Sequence, residues 1–395
     1  MTASEEAHAG YGLSKRITTM PRSNIHMMSA LAREVEDPVS LSWARPFSGT
    51  PEHINEAARE AIAKGLVSGY SPGLGLPELR EAIAEKLKRD NGIEAHADEV
   101  MVTVGAIEGI TAALAAVIDP GDEVLFPSPN YSTHTEEVRL LSGIPKFVPT
   151  IEEEGFRLDV DAFRKAVTER TRAIVFCSPS NPTGAVYAEE DLRALGELAL
   201  ERDLMIITDE AYEYFVFDGF KHFSIASVPE FRNNVVSVFT FTKTYAMTGW
   251  RVGYLHARAD LIGQINKAHN CCAICAPVVS QYAALEALTG SQDCVREFHE
   301  KYLRMRNRVC ERLDGLSQHF SYQRPKGSYC IFPRILHPEG KDSLAFCMRM
   351  LKEARVSTTP GVGFGPTGEE HLRITFCGAE DDIDRAFDRI GEWLG

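Results

Sequence analysis

The run LMIIT (204–208) is followed at once by DEAYEY (209–214), and NVVSVF (234–239) opens into TFTKTYAMTGWRVGY (240–254). Both runs are short, β-branched and almost wholly apolar, which means strands buried on both faces. EVMVTV (99–104), DEVLF (122–126) and RAIVFC (172–177) have the same character. Segments near 53–65, 77–91, 106–119 and 189–202 carry apolar residues three and four apart, the spacing of amphipathic helices. Helices alternating with buried strands predict an α/β chain with a mainly parallel sheet covered by helices on both faces.

Open α/β sheets bind ligands beyond the carboxyl ends of their strands, and here those ends are rich in chemistry. Lys243 follows one strand, among Thr240, Thr242 and Thr244. Alone, such a lysine reads as a solvated surface residue. In a partly desolvated crevice its pKa falls, and the free amine can form a Schiff base with an aldehyde. Asp209 ends LMIIT, where a carboxylate needs either a cation or a helix to cap. A protonated pyridine nitrogen is one such cation, and the pair keeps the ring electron-withdrawing. Asn181 projects from the Pro- and Gly-pinned loop SPSNPTG (178–184), and Tyr212 lies three residues beyond Asp209. Gly105, placed just before a helix, offers an anion site at the helix N-terminus, and Arg251, Thr240 and Thr242 would complete it. Arg373 in HLRITF (371–376) sits among apolar neighbours, and a buried guanidinium there matches a carboxylate.

These motifs resemble the fold-type I, class I aminotransferases, particularly the bacterial aspartate aminotransferase-like branch. The resemblance spans nearly the whole chain: LSKRITTMP (13–21), TPEHI (50–54), YSPGLGLPELREAI (70–83), DPGDEVLFPSPNY (119–131), SPSNPTGAVY (178–187), TDEAYEYFVFDG (208–219), FTKTYAMTGWRVGY (241–254), PKGSYCIFP (325–333) and LRITF (372–376). It implies a seven-stranded sheet, a smaller α+β domain, and pyridoxal 5'-phosphate linked to Lys243. Asp209 is then paired with the pyridine nitrogen, Tyr212 and Asn181 with the phenolic oxygen, and Tyr131 is stacked on the ring. The phosphate falls to Thr240, Thr242, Arg251 and the amides of Ala106 and Ile107, and the substrate α-carboxylate to Arg373. Tyr70 is implied to reach the partner subunit's phosphate, which requires a homodimer. Two positions depart from the pattern near the substrate: Ala44 replaces a usual glycine, and Arg45 replaces a residue that is commonly acidic.

The rest of the chain bounds this reading. Its 395 residues suit more than one core, and a break in pattern near 292 divides it. Residues 45–291 form the large cofactor-binding domain and 292–395 a small α+β domain, opening with a long helix over 296–313. Residues 1–44 are too poor in apolar residues for a core of their own and pack on the small domain. A net charge of -14, with no basic helix-turn-helix before residue 45, argues against nucleic acid. The polar start MTASEEAHAG lacks a secretory pattern, and no apolar run is long enough to span a membrane. Nine cysteines read as reduced core thiols of a cytoplasmic enzyme, including the Cys271, Cys272 and Cys275 cluster, whose CxxC spacing lacks a second ligand pair.

The expected activity is transfer of an α-amino group between amino acid and 2-oxo acid in a ping-pong exchange. In some aspartate-specific members of the branch a lysine stands where Ile107 is here, so the donor leans neutral: alanine, methionine or an aromatic, with 2-oxoglutarate or pyruvate as acceptor. The alternatives are an aspartate aminotransferase with Arg45 as clamp on the distal carboxylate, and a lyase or cyclopropane synthase on the same scaffold.

Overall fold

A computed structural model describes residues 12–46 and 48–395. The expectation for the extreme N-terminus concerns residues outside that range. Seven strands make the main sheet: β1 (Val100–Thr103), β2 (Glu123–Ser128), β3 (Ile144–Pro149), β4 (Thr171–Cys177), β5 (Met205–Asp209), β6 (Val235–Thr240) and β7 (Gly253–His256). They lie in the order β1-β7-β6-β5-β4-β2-β3. β7 runs antiparallel to both of its neighbours and the other pairings are parallel. This is the mainly parallel seven-stranded sheet that the resemblance implies.

Alternation along each strand sends side chains to opposite faces. Leu125, Ile174, Phe176 and Ile206 enter one hydrophobic cluster, whereas Val124, Phe126, Val175 and Ile207 enter another. Helices cover both faces, among them Pro77–Asn91 and Gly105–Val117.

A third cluster joins Met28, Val39 and Leu41 to Phe298, Val309, Phe346, Ile374 and Phe387. Val39–Ser40 pairs in parallel with Val356–Ser357, so the N-terminal stretch is bound to late sequence by backbone as well as by packing. Leu372–Thr375 is the middle strand of a three-stranded antiparallel sheet, between Cys330–Ile331 and Thr359–Pro360. The long helix covers Asp293–Asp314.

The register of the main sheet assembles the site. Cys177 pairs with Asp209, and Asp209 with Val238, so the ends of β4, β5 and β6 stand side by side. Gly253 pairs with both Thr103 and Thr240, which carries Arg251 over Gly105. Gly105 has φ of 75°, a left-handed conformation that favours glycine. A Cβ there would stand 2.6 Å from Arg251 Nη2, so the guanidinium can lie on this backbone only if position 105 has no side chain.

One expectation is corrected. Cys177, Cys310, Cys330, Cys347 and Cys377 are buried, but Cys271 and Cys272 are exposed and Cys275 is half-buried. The helix Ala259–Cys272 buries Leu261, Ile262, Ile265 and His269, a stripe that leaves its last two residues on the outer side. Among the described residues, no helix is long and apolar enough to cross a membrane.

Candidate active site

A cavity of about 500 Å³ opens beyond the ends of β4, β5 and β6. Its wall contains Ala44, Ala106, Ile107, Tyr131, Asn181, Asp209, Tyr212, Thr240, Thr242, Lys243, Arg251 and Arg373. Residues singled out in the sequence, drawn from across the chain, thus face one space.

Lys243 lies in the short helix Phe241–Thr244, which Thr240 caps by accepting from the Thr242 amide. Its Nζ donates to the Ala44 carbonyl at 2.9 Å and has no carboxylate partner among the described residues. The Tyr212 and Tyr329 rings stand 5.8 and 5.6 Å from that nitrogen. Burial lowers the Lys243 pKa, because taking the ammonium out of water favours the free amine.

Asp209 is buried at the end of β5. Oδ1 accepts from the Ala211 amide at 3.1 Å, and Oδ2 lies 3.1 Å from His134 Nε2. Burial holds the Tyr212 pKa well above the ordinary value, so its hydroxyl remains a donor. Asn181 Oδ1 accepts from Arg373 Nη1 at 3.1 Å. Tyr131 precedes the helix Ser132–Leu140, with its ring edge-on to His134 at 5.2 Å.

Arg251 donates to the Thr248 carbonyl at 3.2 Å and makes no ion pair among the described residues. Beside it are the first turn of the helix Gly105–Val117 and the hydroxyls of Thr240 and Thr242, themselves 2.8 Å apart. An unneutralised guanidinium, a helix N-terminus and two hydroxyls suit a phosphate. Buried Asp209 suits a pyridinium and Lys243 an aldehyde, so the residues present fit pyridoxal phosphate.

Arg373 is 1% exposed. Its Nη2 donates to the Ser42 carbonyl and, at 3.3 Å, to Thr359 Oγ1. Among the described residues its buried Nε has no acceptor and the guanidinium has no carboxylate partner. Such a cation calls for an anionic ligand.

Three residues fall elsewhere. Gly105 is buried beneath Arg251 rather than on the wall. Arg45 lines a separate cavity of about 600 Å³ with Pro46, Thr50 and Trp250, because the chain turns away after Ala44. This departs from the expectation that Arg45 binds substrate. Tyr70 is 80% exposed, away from the cavity of its own chain.

Sequence reasoning missed His134, and also Trp43 and His26, whose rings meet edge-on at 5.6 Å on the cavity wall. The helix spacing that buries His134 and Val138 together was the available signal for the first. Nothing local marked the other two, which reach the site only because the N-terminal stretch packs across it.

Fold and site together define an α/β transferase of the pyridoxal-phosphate type. The family model for aminotransferases of class I and II matches residues 37–390. The chain is 42% identical to the aromatic-amino-acid aminotransferase 2 of Thermococcus litoralis, over 97% of this chain and 98% of that one. It is 41% identical to the aspartate aminotransferase of Pyrococcus abyssi, with the same coverage of each. The solved aspartate aminotransferase of Thermus thermophilus with maleate superposes with a TM-score of 0.91 at 36% identity, covering 97% of this chain and 99% of that one. The chain belongs to the class I and II aminotransferases and is a pyridoxal-phosphate-dependent enzyme of that family.

Proposed function

We propose that the enzyme takes its amino group from a neutral amino acid, aromatic or aliphatic, and passes it to 2-oxoglutarate or pyruvate. The observation that carries this reading is the set of fixed cations on the cavity wall, Lys243, Arg251 and Arg373. Each is committed in turn to amine chemistry, to the phosphate and to the α-carboxylate. None remains for a carboxylate on the donor's side chain. The remaining wall includes Ile25, Trp43 and Ile107, which suit an apolar side chain. An aspartate side chain against that wall would lose water without gaining a partner, at a cost of several kcal/mol by the general penalty for burying an unpaired charge. The names of the relatives include both aromatic and aspartate donors, and the wall favours the aromatic. Arg45 lies outside the cavity, which weighs against the clamp reading.

When bound, pyridoxal phosphate supplies an aldehyde that condenses with amines and a pyridinium ring that draws electrons from the substrate's Cα. Arg373 grips the α-carboxylate with its unused N–H groups and fixes the plane of the substrate. Lys243 Nζ, whose pKa burial lowers toward the free amine, would take the substrate's Cα proton and hold it for return during the amino transfer. Asp209, held by His134 and the Ala211 amide, would pair with the ring nitrogen and favour its protonated form. Tyr212 and Asn181 would donate to the phenolic oxygen, Tyr131 would lie against the ring, and Arg251 with Thr240, Thr242 and the Ala106 and Ile107 amides would anchor the phosphate.

The working species in this proposal is a cytoplasmic homodimer, with exposed Tyr70 donated to the partner subunit. The division into residues 1–44, 45–291 and 292–395 is part of this reading, and the pairing of Val39–Ser40 with Val356–Ser357 supports packing of the first segment on the last. The donor is tested by kcat/KM for phenylalanine, methionine, alanine and aspartate in wild type and Ile107→Lys. Neutral donors should lead in wild type and aspartate should gain in the variant. A wild-type preference for aspartate would overturn the reading.

A further inference from the structure

The chain passes from β1 into the helix Gly105–Val117 in two residues. Val104, with φ -80° and ψ 60°, has the geometry of an inverse γ-turn, and Gly105 follows in the left-handed region at φ 75°. The ladder between β1 and β7 ends at Thr103 and Gly253, so the Val104 N–H lies beyond the sheet. Glu108, one turn into the helix, takes it up: Oε2 accepts from the Val104 amide at 3.0 Å. The other oxygen, Oε1, lies 2.9 Å from Nδ1 of His269 on the helix Ala259–Cys272.

His269 is fully buried and its Nε2 has no partner, so Glu108 is the ring's one polar partner among the described residues. A carboxylate only accepts, so the ring presents Nδ1–H to it. An apolar side chain would fill the same space without leaving a buried nitrogen unmet, and the bond to Glu108 is what the histidine adds. The turn itself has little slack. A Cβ at Gly253 would stand 3.0 Å from Gly105 C and 3.1 Å from Ala106 N, and one at Gly105 would stand 2.6 Å from Arg251 Nη2. Its backbone is thus packed between β7 and the guanidinium. The amides of Ala106 and Ile107, in the first turn, have no acceptor within the helix. Glu108 occupies the Val104 amide and leaves those two for a ligand.

We propose that Glu108 is a positioning residue for the cofactor phosphate: braced by His269, it fixes the Val104–Gly105 turn and thereby the aim of the Ala106 and Ile107 amides beside Arg251. Without Glu108, the side-chain bond left across the turn is that of the Thr103 hydroxyl to the Gly105 carbonyl, 3.0 Å long. The brace acts on the phosphate end of the cofactor, so it bears on how strongly the enzyme prefers a phosphorylated ligand.

The inference rests on the phosphate being held at this turn, and the test separates the two. Apoenzyme is titrated with pyridoxal 5'-phosphate and with pyridoxal, which lacks the phosphate, and the ratio of the two dissociation constants is read. In Glu108→Leu the preference for the phosphorylated form should fall on the order of ten-fold, the weight of about one hydrogen bond to a charged group. Affinity for pyridoxal should not change. Glu108→Gln can still accept from Val104 and can donate to the other tautomer of His269, so its preference should stay within about three-fold of wild type. In the holoenzyme, the phosphorus NMR signal of the bound cofactor should move in Glu108→Leu and return in Glu108→Gln. An unchanged preference in Glu108→Leu, or equal weakening of both ligands as in a general loss of structure, would overturn the proposal. His269→Leu, which keeps Glu108 but removes its brace, carries the same test where Glu108→Leu does not fold: the preference should fall about three-fold, and no change would overturn the proposal. An unchanged preference in Arg251→Met would instead refute the placement of the phosphate itself.

Discussion

Replacing Arg373 with glutamine separates the substrate grip from everything else in the cavity. Among the described residues the guanidinium donates only to neutral acceptors, Asn181 Oδ1, the Ser42 carbonyl and Thr359 Oγ1, and its Nε–H has none. In the proposed reading the substrate carboxylate is the missing counter-charge of this buried guanidinium, which is 1% exposed. Removing one member of a buried charge pair costs about 3–5 kcal/mol, which corresponds to a loss in kcat/KM of roughly two to three and a half orders of magnitude. The assay compares phenylalanine with 2-phenylethylamine, which differs only in lacking the carboxylate. Wild type should prefer phenylalanine strongly, and in Arg373→Gln that preference should collapse while the slow reaction of the amine changes little. Thermal stability should hold or rise, since the substitution removes a buried cation that has no counter-charge among the described residues. If Arg373→Gln keeps its discrimination between the two amines, the carboxylate is bound elsewhere and the orientation assigned to the substrate is wrong.

Other perturbations probe separate parts of the molecule. Lys243→Ala should retain cofactor, measured by its absorbance after gel filtration, while turnover falls by at least about a hundred- to ten-thousand-fold, the contribution of a positioned base; substantial residual transamination would point to another lysine. Tyr70→Phe should weaken cofactor retention by about 1.5–3 kcal/mol, the worth of a hydrogen bond to a charged group, and a fully active monomer in sedimentation would rule out donation across an interface. Arg45→Ala should leave the phenylalanine-to-aspartate ratio unchanged, whereas a collapse of aspartate use would restore the clamp. His256 is fully buried, neither ring nitrogen has a partner among the described residues, and burial lowers its pKa from 6.5 to about 4. Between those values the unfolded chain binds a proton that the folded chain refuses, so stability falls as pH drops through that window. His256→Met should remove about 3 kcal/mol of that acid loss, as measured by denaturant midpoints at pH 7 and 4; identical pH slopes in the two proteins would assign the loss to other groups.

Five strands of the main sheet were legible because each is a continuous apolar run, the mark of burial on both faces. The two that escaped explain why. Ile144–Pro149 is an edge strand, half-exposed, with prolines tolerated because one side needs no ladder. Gly253–His256 is only four residues long and lies in a stretch read for its chemistry rather than its strand character. At the site, Lys243, Asp209 and Asn181 could be picked out because strand ends in an α/β sheet predict where a ligand lies. Arg45 could not be placed, since one turn of backbone after Ala44 decides which cavity it enters. Nothing in the sequence analysis singled out His134 or Glu137, and it is the packing of their helix that buries both. The Cys271 and Cys272 expectation failed because composition says that thiols are usually buried, while the phase of the helix decides which ones are.

If the cavity takes the amino group from a neutral donor and leaves it on the cofactor, one half-reaction shows both properties. The direct test mixes holoenzyme, without any 2-oxo acid, with phenylalanine or with aspartate, and follows the cofactor's absorbance through a single half-reaction. Complete conversion to the aminated cofactor is expected, with one 2-oxo acid released per site and a larger second-order rate constant for phenylalanine than for aspartate. A faster reaction with aspartate, or a cofactor returned to its starting form while substrate is consumed, would contradict it.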